Sequence, residues 1–143
     1  MLHKPMSLLC RAGAALAVAA LVAGSAGAAM AQEAGGTVKR IAAEKLPNVP
    51  GKSITAVMVS YPPGGKSGAH RHAGSVLAYV LSGAIRSENS ATGAARVYQA
   101  GESFFEPPGS EHLVSENASS SEPASLLAIF VADDGAQLTT FGK

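Results

Sequence analysis

Along most of the chain, apolar side chains recur at every second position in short stretches: residues 38–42, 53–61, 75–81, 84–88, 96–99, 103–106, 112–115, 126–132 and 137–141. A period of two over so few residues predicts β-strands, because successive side chains on a strand point to opposite faces. Between the stretches lie Pro47-Asn48-Val49-Pro50-Gly51, Pro62-Pro63-Gly64-Gly65, Asn89-Ser90-Ala91-Thr92-Gly93, Pro107-Pro108-Gly109 and Ser119-Ser120-Ser121-Glu122-Pro123. Proline fixes φ and glycine supplies positive φ, so these are turns. No internal repeat is evident, and outside the N-terminal segment no long window shows a helical period. About eight or nine strands joined by tight turns predict an all-β domain, a sandwich or a barrel. The strands at 38–42 and 126–132 are expected at sheet edges that need cover.

The N-terminal segment follows different rules. His3, Lys4 and Arg11 make a basic start, residues 12–23 are apolar and Ala-rich, and Ala29-Met30-Ala31 precedes Gln32. Those are the three parts of a secretory signal peptide, so cleavage is expected after Ala31 and the protein is expected in the periplasm or secreted. The uncharged stretch is short against the ~20 residues a membrane span needs, and Cys10 precedes it, which does not suit a lipid anchor. The expected organisation is a signal peptide at 1–31, a flexible leader at 32–37 and one domain at 38–143, with no membrane contact after cleavage.

Composition narrows the function classes. A chain of 143 residues holds one modest domain. Beyond residue 31 there are nine basic and ten acidic side chains, and the basic ones are scattered, which argues against nucleic-acid binding. The single cysteine, Cys10, would leave with the signal, so no disulfide is expected in the mature protein. Stability must then come from packing, with a metal or a partner subunit in support; a homodimer is expected.

Only three histidines remain beyond the signal: His70, His72 and His112. On a strand, residues two apart project to the same side, so His70 and His72 can chelate one ion. A third imidazole from a neighbouring strand would complete one face of a coordination sphere and leave positions open for water or substrate. A His-x-His pair is by itself weak evidence, and the flanking glycines and prolines add weight. Gly64 precedes His70 by six residues, with His72 and then Gly83 beyond it. Gly101, Pro107, Gly109 and His112 form a second spaced set.

These two sets resemble the paired motifs of the cupin superfamily, and the resemblance runs from Gly64 to Asn117. It implies a single-domain cupin β-barrel (jelly roll) in which both motifs deliver ligands to one divalent metal, with His70, His72 and His112 as the ligands. The metal could be Fe, Mn, Ni, Cu or Zn, since imidazole suits them alike. Pairing into dimers is common among such proteins, and the ligand would be a small molecule.

Two positions depart from the family pattern. The carboxylate usual four residues after the second histidine is replaced by Val76, whose parity in a regular strand matches His70 and His72. At the end of the second motif Glu116 stands where Asn is usual, with Asn117 next. The site therefore reads as three neutral imidazoles, similar to the three-histidine cupin dioxygenases, or as a degenerate site. Less charge compensation would strengthen the ion as a Lewis acid toward anionic, chelating ligands. Glu106, just before Pro107, is a further ligand or acid/base group if its side chain turns inward; beside a surface turn it would otherwise be solvated. Glu111 is expected to be exposed. Tyr61, Tyr79, Tyr98, Phe104, Phe105 and Phe130 are expected to pack the barrel first and line its pocket second, with Tyr79 not over the metal. The sequence supports either a metal-dependent, dioxygenase-like enzyme acting on a small chelating substrate or a binding module without turnover, and family membership alone does not choose between them.

Overall fold

The computed structural model describes residues 35–142. The expected signal peptide and the first half of the leader, residues 32–34, lie outside that range. Eleven strands are present among the described residues: β1 (Thr37–Lys45), β2 (Lys52–Tyr61), β3 (Lys66–Ser67), β4 (His70–His72), β5 (Ser75–Ser82), β6 (Ala84–Asn89), β7 (Gly93–Gln99), β8 (Ser103–Glu106), β9 (Glu111–Asn117), β10 (Ala124–Asp133) and β11 (Thr139–Phe141). None of the described residues is helical.

The strands form two antiparallel sheets, ordered β1-β2-β10-β5-β8 and β11-β4-β9-β6-β7, with β3 pairing to β9. The sheets are not joined into a closed ring; they face each other as a jelly roll. The core between them holds Val57, Val76, Ala78, Val80, Ile85, Phe104, Leu126, Ala128 and Phe130. Alternation explains why: in β5, Val76, Ala78 and Val80 are buried while Leu77, Tyr79 and Leu81 are exposed.

Three sequence expectations are corrected here. The stretch at 126–132 is not an edge; β10 lies between β2 and β5, where its backbone is paired on both sides. Tyr79 and Phe105 do not pack the interior, because strand parity sends them outward. The third concerns the strand that carries the histidine pair, which does not run on to Val76. It breaks at Ala73-Gly74, so β4 belongs to one sheet and β5 to the other. Gly74 permits the crossing, since a Cβ there would overlap the Val131 carbonyl oxygen. Val76 still faces inward, but from the opposite wall.

Register organises that inner surface. Glu106, Val76, Phe130, Thr55 and Ala43 lie in one row across the first sheet. On the second sheet Phe141, His70, His112 and Asn89 form another row. The outer face of the first sheet is also apolar: Leu77 pairs laterally with Phe105 and Ile129, and Leu77, Tyr79, Leu81, Phe105 and Val131 are all exposed. Nearly continuous apolar runs such as β10 are what a strand covered on both faces carries.

Candidate metal centre

His70 and His112 sit directly opposite each other on β4 and β9, and His72 projects from β4 on the same side as His70. All three are buried, and each offers a ring nitrogen within 4.8 Å of the others. The ring centroids of His70 and His72 are 4.7 Å apart, and those of His70 and His112 4.9 Å. Phe130 and Phe141 pack against the His72 and His70 rings. The positive-φ glycine of the Pro107-Pro108-Gly109 corner donates its amide to the His72 carbonyl, which ties the turn before His112 to the strand carrying the other two ligands.

Each imidazole is held through one nitrogen. His70 Nδ1 lies 2.7 Å from the Gly68 carbonyl oxygen, and His72 Nδ1 lies 3.1 Å from that of Leu138 with Thr139 Oγ1 at 3.2 Å. Those contacts leave the Nε2 atoms of both rings for a ligand. His112 is held the other way round, with Nε2 2.8 Å from Ser87 Oγ, so its inner nitrogen is Nδ1. Anchoring the far nitrogen fixes the orientation of all three rings, and the carbonyl partners of His70 and His72 also fix their tautomer, as expected of metal-binding histidines.

Glu106 turns inward and is only 3% exposed. Its Oε2 stands 2.9 Å from His112 Nδ1 and 3.7 Å from His72 Nε2. Although close to the carboxylate, His112 Nδ1 is not aligned for a hydrogen bond and has no such partner. A buried nitrogen and a carboxylate oxygen this close call for a shared positive charge, either a proton on the ring or a cation bound by both. The donor set therefore fits a divalent ion: imidazole nitrogens from two strands of one sheet and a carboxylate from the other.

Burial pushes His70 down to about 4 and also lowers His72, so both rings stay neutral and available as donors near neutral pH. Burial opposes ionisation of Glu106 as well, but the neighbouring His112 and the other two imidazoles outweigh it and hold the carboxyl below its usual range.

The structure brings together His70, His72, His112 and Glu106. Val76, which the sequence put beside the histidines on one strand, lies directly across the β5–β8 ladder from Glu106. Glu111 pairs with Arg71 on the outside. Sequence reading missed Ser87, Thr139 and Phe141. Ser87 and Asn89 alternate with Arg86 and Glu88 at inward positions of β6, a signal that could have been read; nothing in the sequence joined β11 to β4. Asn117 is buried, and its amide donates to the Pro62 and Glu122 carbonyls, a structural role.

A cavity of about 1120 Å³ opens from this cluster, lined by apolar residues such as Val57, Ala78, Ala128 and Leu138 and by Tyr61, Ser67 and Ser115. It runs out toward the exposed strand β1.

A family profile described as a cupin domain matches residues 57–130, more than half of the chain. No curated protein shows significant similarity. Among solved structures, an oxalate decarboxylase is 28% identical over 77% of this chain and 29% of its own, with a TM-score of 0.59. A cupin-like protein from Thermotoga maritima is 19% identical over 75% of each chain, with a TM-score of 0.58. The DMSP lyase DddQ from Ruegeria pomeroyi is 19% identical over 62% of this chain, with a TM-score of 0.53, and this chain spans 42% of its length.

Proposed function

The chain belongs to the cupin family, and from that premise we propose that it is an exported metal protein in which His70, His72, His112 and Glu106 hold one divalent ion and a small chelating substrate is transformed, in a dioxygenase-like reaction. The observation that carries this reading is the orphaned Nδ1 of His112 facing the Glu106 carboxylate, a pair that a cation would reconcile. Once bound, the ion would supply Lewis acidity and, if redox-active, electrons for oxygen chemistry.

The protein's own groups account for the rest. Gly68, Leu138 and Ser87 keep the rings aimed inward, and Phe130 and Phe141 exclude water from their flanks. Glu106, held ionised, partly neutralises the ion and can receive at Oε2 a proton released by an incoming acid. The similarity to oxalate decarboxylase supports a small carboxylate-bearing substrate. The signal-like segment supports export, and the apolar outer face of the first sheet supports a homodimer closed through that face.

Elemental analysis of protein purified anaerobically from its own compartment, with His72→Ala in parallel, tests the metal reading. The wild type should carry a stoichiometric first-row metal and the variant almost none; equal metal in both defeats the assignment. Oxygen uptake against diketones, flavonols, thiols and small acids then tests turnover. A redox-inert metal with no uptake would favour the binding module.

A further inference from the structure

One group of buried and half-buried polar side chains in the cavity is not used by the metal site. Tyr61 reaches from the first sheet across to the second, where its hydroxyl lies 2.7 Å from Ser67 Oγ and 2.9 Å from Ser115 Oγ. Ser67 and Ser115 are paired on β3 and β9, and Ser115 also pairs with Ser87 on β6. Tyr61 and Ser115 are 3% and 5% exposed, and Ser67 is half-buried at the edge of the cavity.

Counting protons gives the cluster a ligand preference. Three hydroxyls carry three O–H donors, and the two contacts among them use two. Neither serine oxygen has a further protein partner among the described residues, so whichever way the protons turn, one donor remains free at the cavity wall. A hydroxyl without an acceptor in so enclosed a place is unfavourable, and an acceptor atom on a ligand would relieve it.

The cluster also has a fixed relation to the histidines. Ser67 and Ser115 each lie three residues from His70 and His112 on neighbouring strands. Leu113 is an extra residue in the β9 ladder, so the step is roughly 7–10 Å at about 3.3 Å per residue. Allowing for reach at both ends, a bridging ligand needs at most about 4 Å between its metal-binding carbon and its acceptor-bearing carbon. Among the described residues no cation contacts the three hydroxyls, and burial, with nearby Glu106 adding to it, disfavours negative charge on Tyr61. A second carboxylate would be poorly served there, whereas a neutral carbonyl oxygen would be well served.

We propose that Tyr61, Ser67 and Ser115 form a second pole of the cavity that binds a neutral carbonyl oxygen of a short oxo acid whose carboxylate sits at the metal. This rests on the metal reading above and extends it to the substrate class.

The test compares 4-oxopentanoate with pentanoate, which differ by one carbonyl oxygen, by calorimetric titration into cobalt-loaded protein; cobalt binding is measured first. Failure of cobalt to bind would defeat the metal reading itself. With cobalt bound, 4-oxopentanoate should bind about 3- to 10-fold more tightly than pentanoate, the worth of one hydrogen bond. The triple variant Tyr61→Phe/Ser67→Ala/Ser115→Ala, which removes every hydroxyl of the cluster, should abolish that difference while leaving pentanoate affinity unchanged. Succinate should gain no such advantage. Equal binding of the two monoacids by the wild type, no binding of either, or a preference that survives removal of all three hydroxyls would overturn the proposal; the wild-type comparison decides even if the variant fails to fold.

Discussion

Val76 and Glu106 occupy directly opposed positions of the antiparallel β5–β8 ladder, both side chains pointing into the space between the two sheets. Opposed residues on one face have Cβ atoms about 4.5–5.5 Å apart, so a carboxylate on either strand enters nearly the same space. The family's usual carboxylate position is apolar in this chain, and the neighbouring strand supplies the charge instead.

An exchange of the two side chains tests this. Glu106→Val should weaken metal binding at least ~10-fold, as loss of a ligand or of a close partner of ligands does. Val76→Glu alone would set two carboxylates side by side in a buried space, so the apoprotein should be destabilised and one carboxyl should stay protonated. The double variant Val76→Glu/Glu106→Val should recover most of the metal affinity. Metal titration of the four proteins reads the outcome; failure of the double variant to recover would mean that the two positions are not equivalent.

Acid should act on this site late. His70 is pushed down to about 4 by burial and His72 is lowered too, so protons compete with the metal at these two nitrogens below the ordinary imidazole value. Metal occupancy should hold through pH 6 and fall as pH approaches 4, not near 6.5. Without metal, the unfolded chain takes up protons near 6.5 while folded His70 does so only near 4. The unfolded state therefore binds more protons between those values, and the stability of the apoprotein should decline steadily as pH falls through that window. Urea midpoints at pH 7, 6 and 5 check the second expectation; a flat series would contradict it.

Ser87→Ala should reduce metal affinity by about 10- to 100-fold, because it frees His112 Nε2, whose contact with Ser87 Oγ at 2.8 Å keeps Nδ1 aimed inward. The fold should persist, since one small hydroxyl is removed. Unaltered affinity would show that the ring is oriented by packing against Phe104 instead.

The outer face of the first sheet should be an interface between two copies. Leu77, Tyr79, Leu81, Phe105 and Val131 are exposed there together, and a standard interface buries about 800 Å² per partner. Light scattering at micromolar concentration should give a dimer, and Leu77→Lys with Phe105→Lys a monomer that still binds metal. A monomeric wild type would rule the dimer out.

What the sequence determined by itself is local. Period-two alternation set the strands of β2, β5, β6 and β8 nearly to their observed ends, and the proline and glycine clusters set the turns, because both depend on chain neighbours. The spacing of Gly64, His70, His72, Gly101, Pro107, Gly109 and His112 carried the fold family and the histidine cluster for the same reason. What only the tertiary structure decided depends on register between distant strands. Gly74 moves the chain from one sheet to the other, so Val76 meets Glu106 rather than standing beside the histidines. Burial of Glu106, placement of β10 at the centre of its sheet and the pairing of β11 with β4 behind His70 and His72 follow from how the two sheets stack. Those relationships join residues tens of positions apart, and no short-range pattern records them, because hydrogen-bonded pairing between strands is specified by the whole packed core and not by either strand alone.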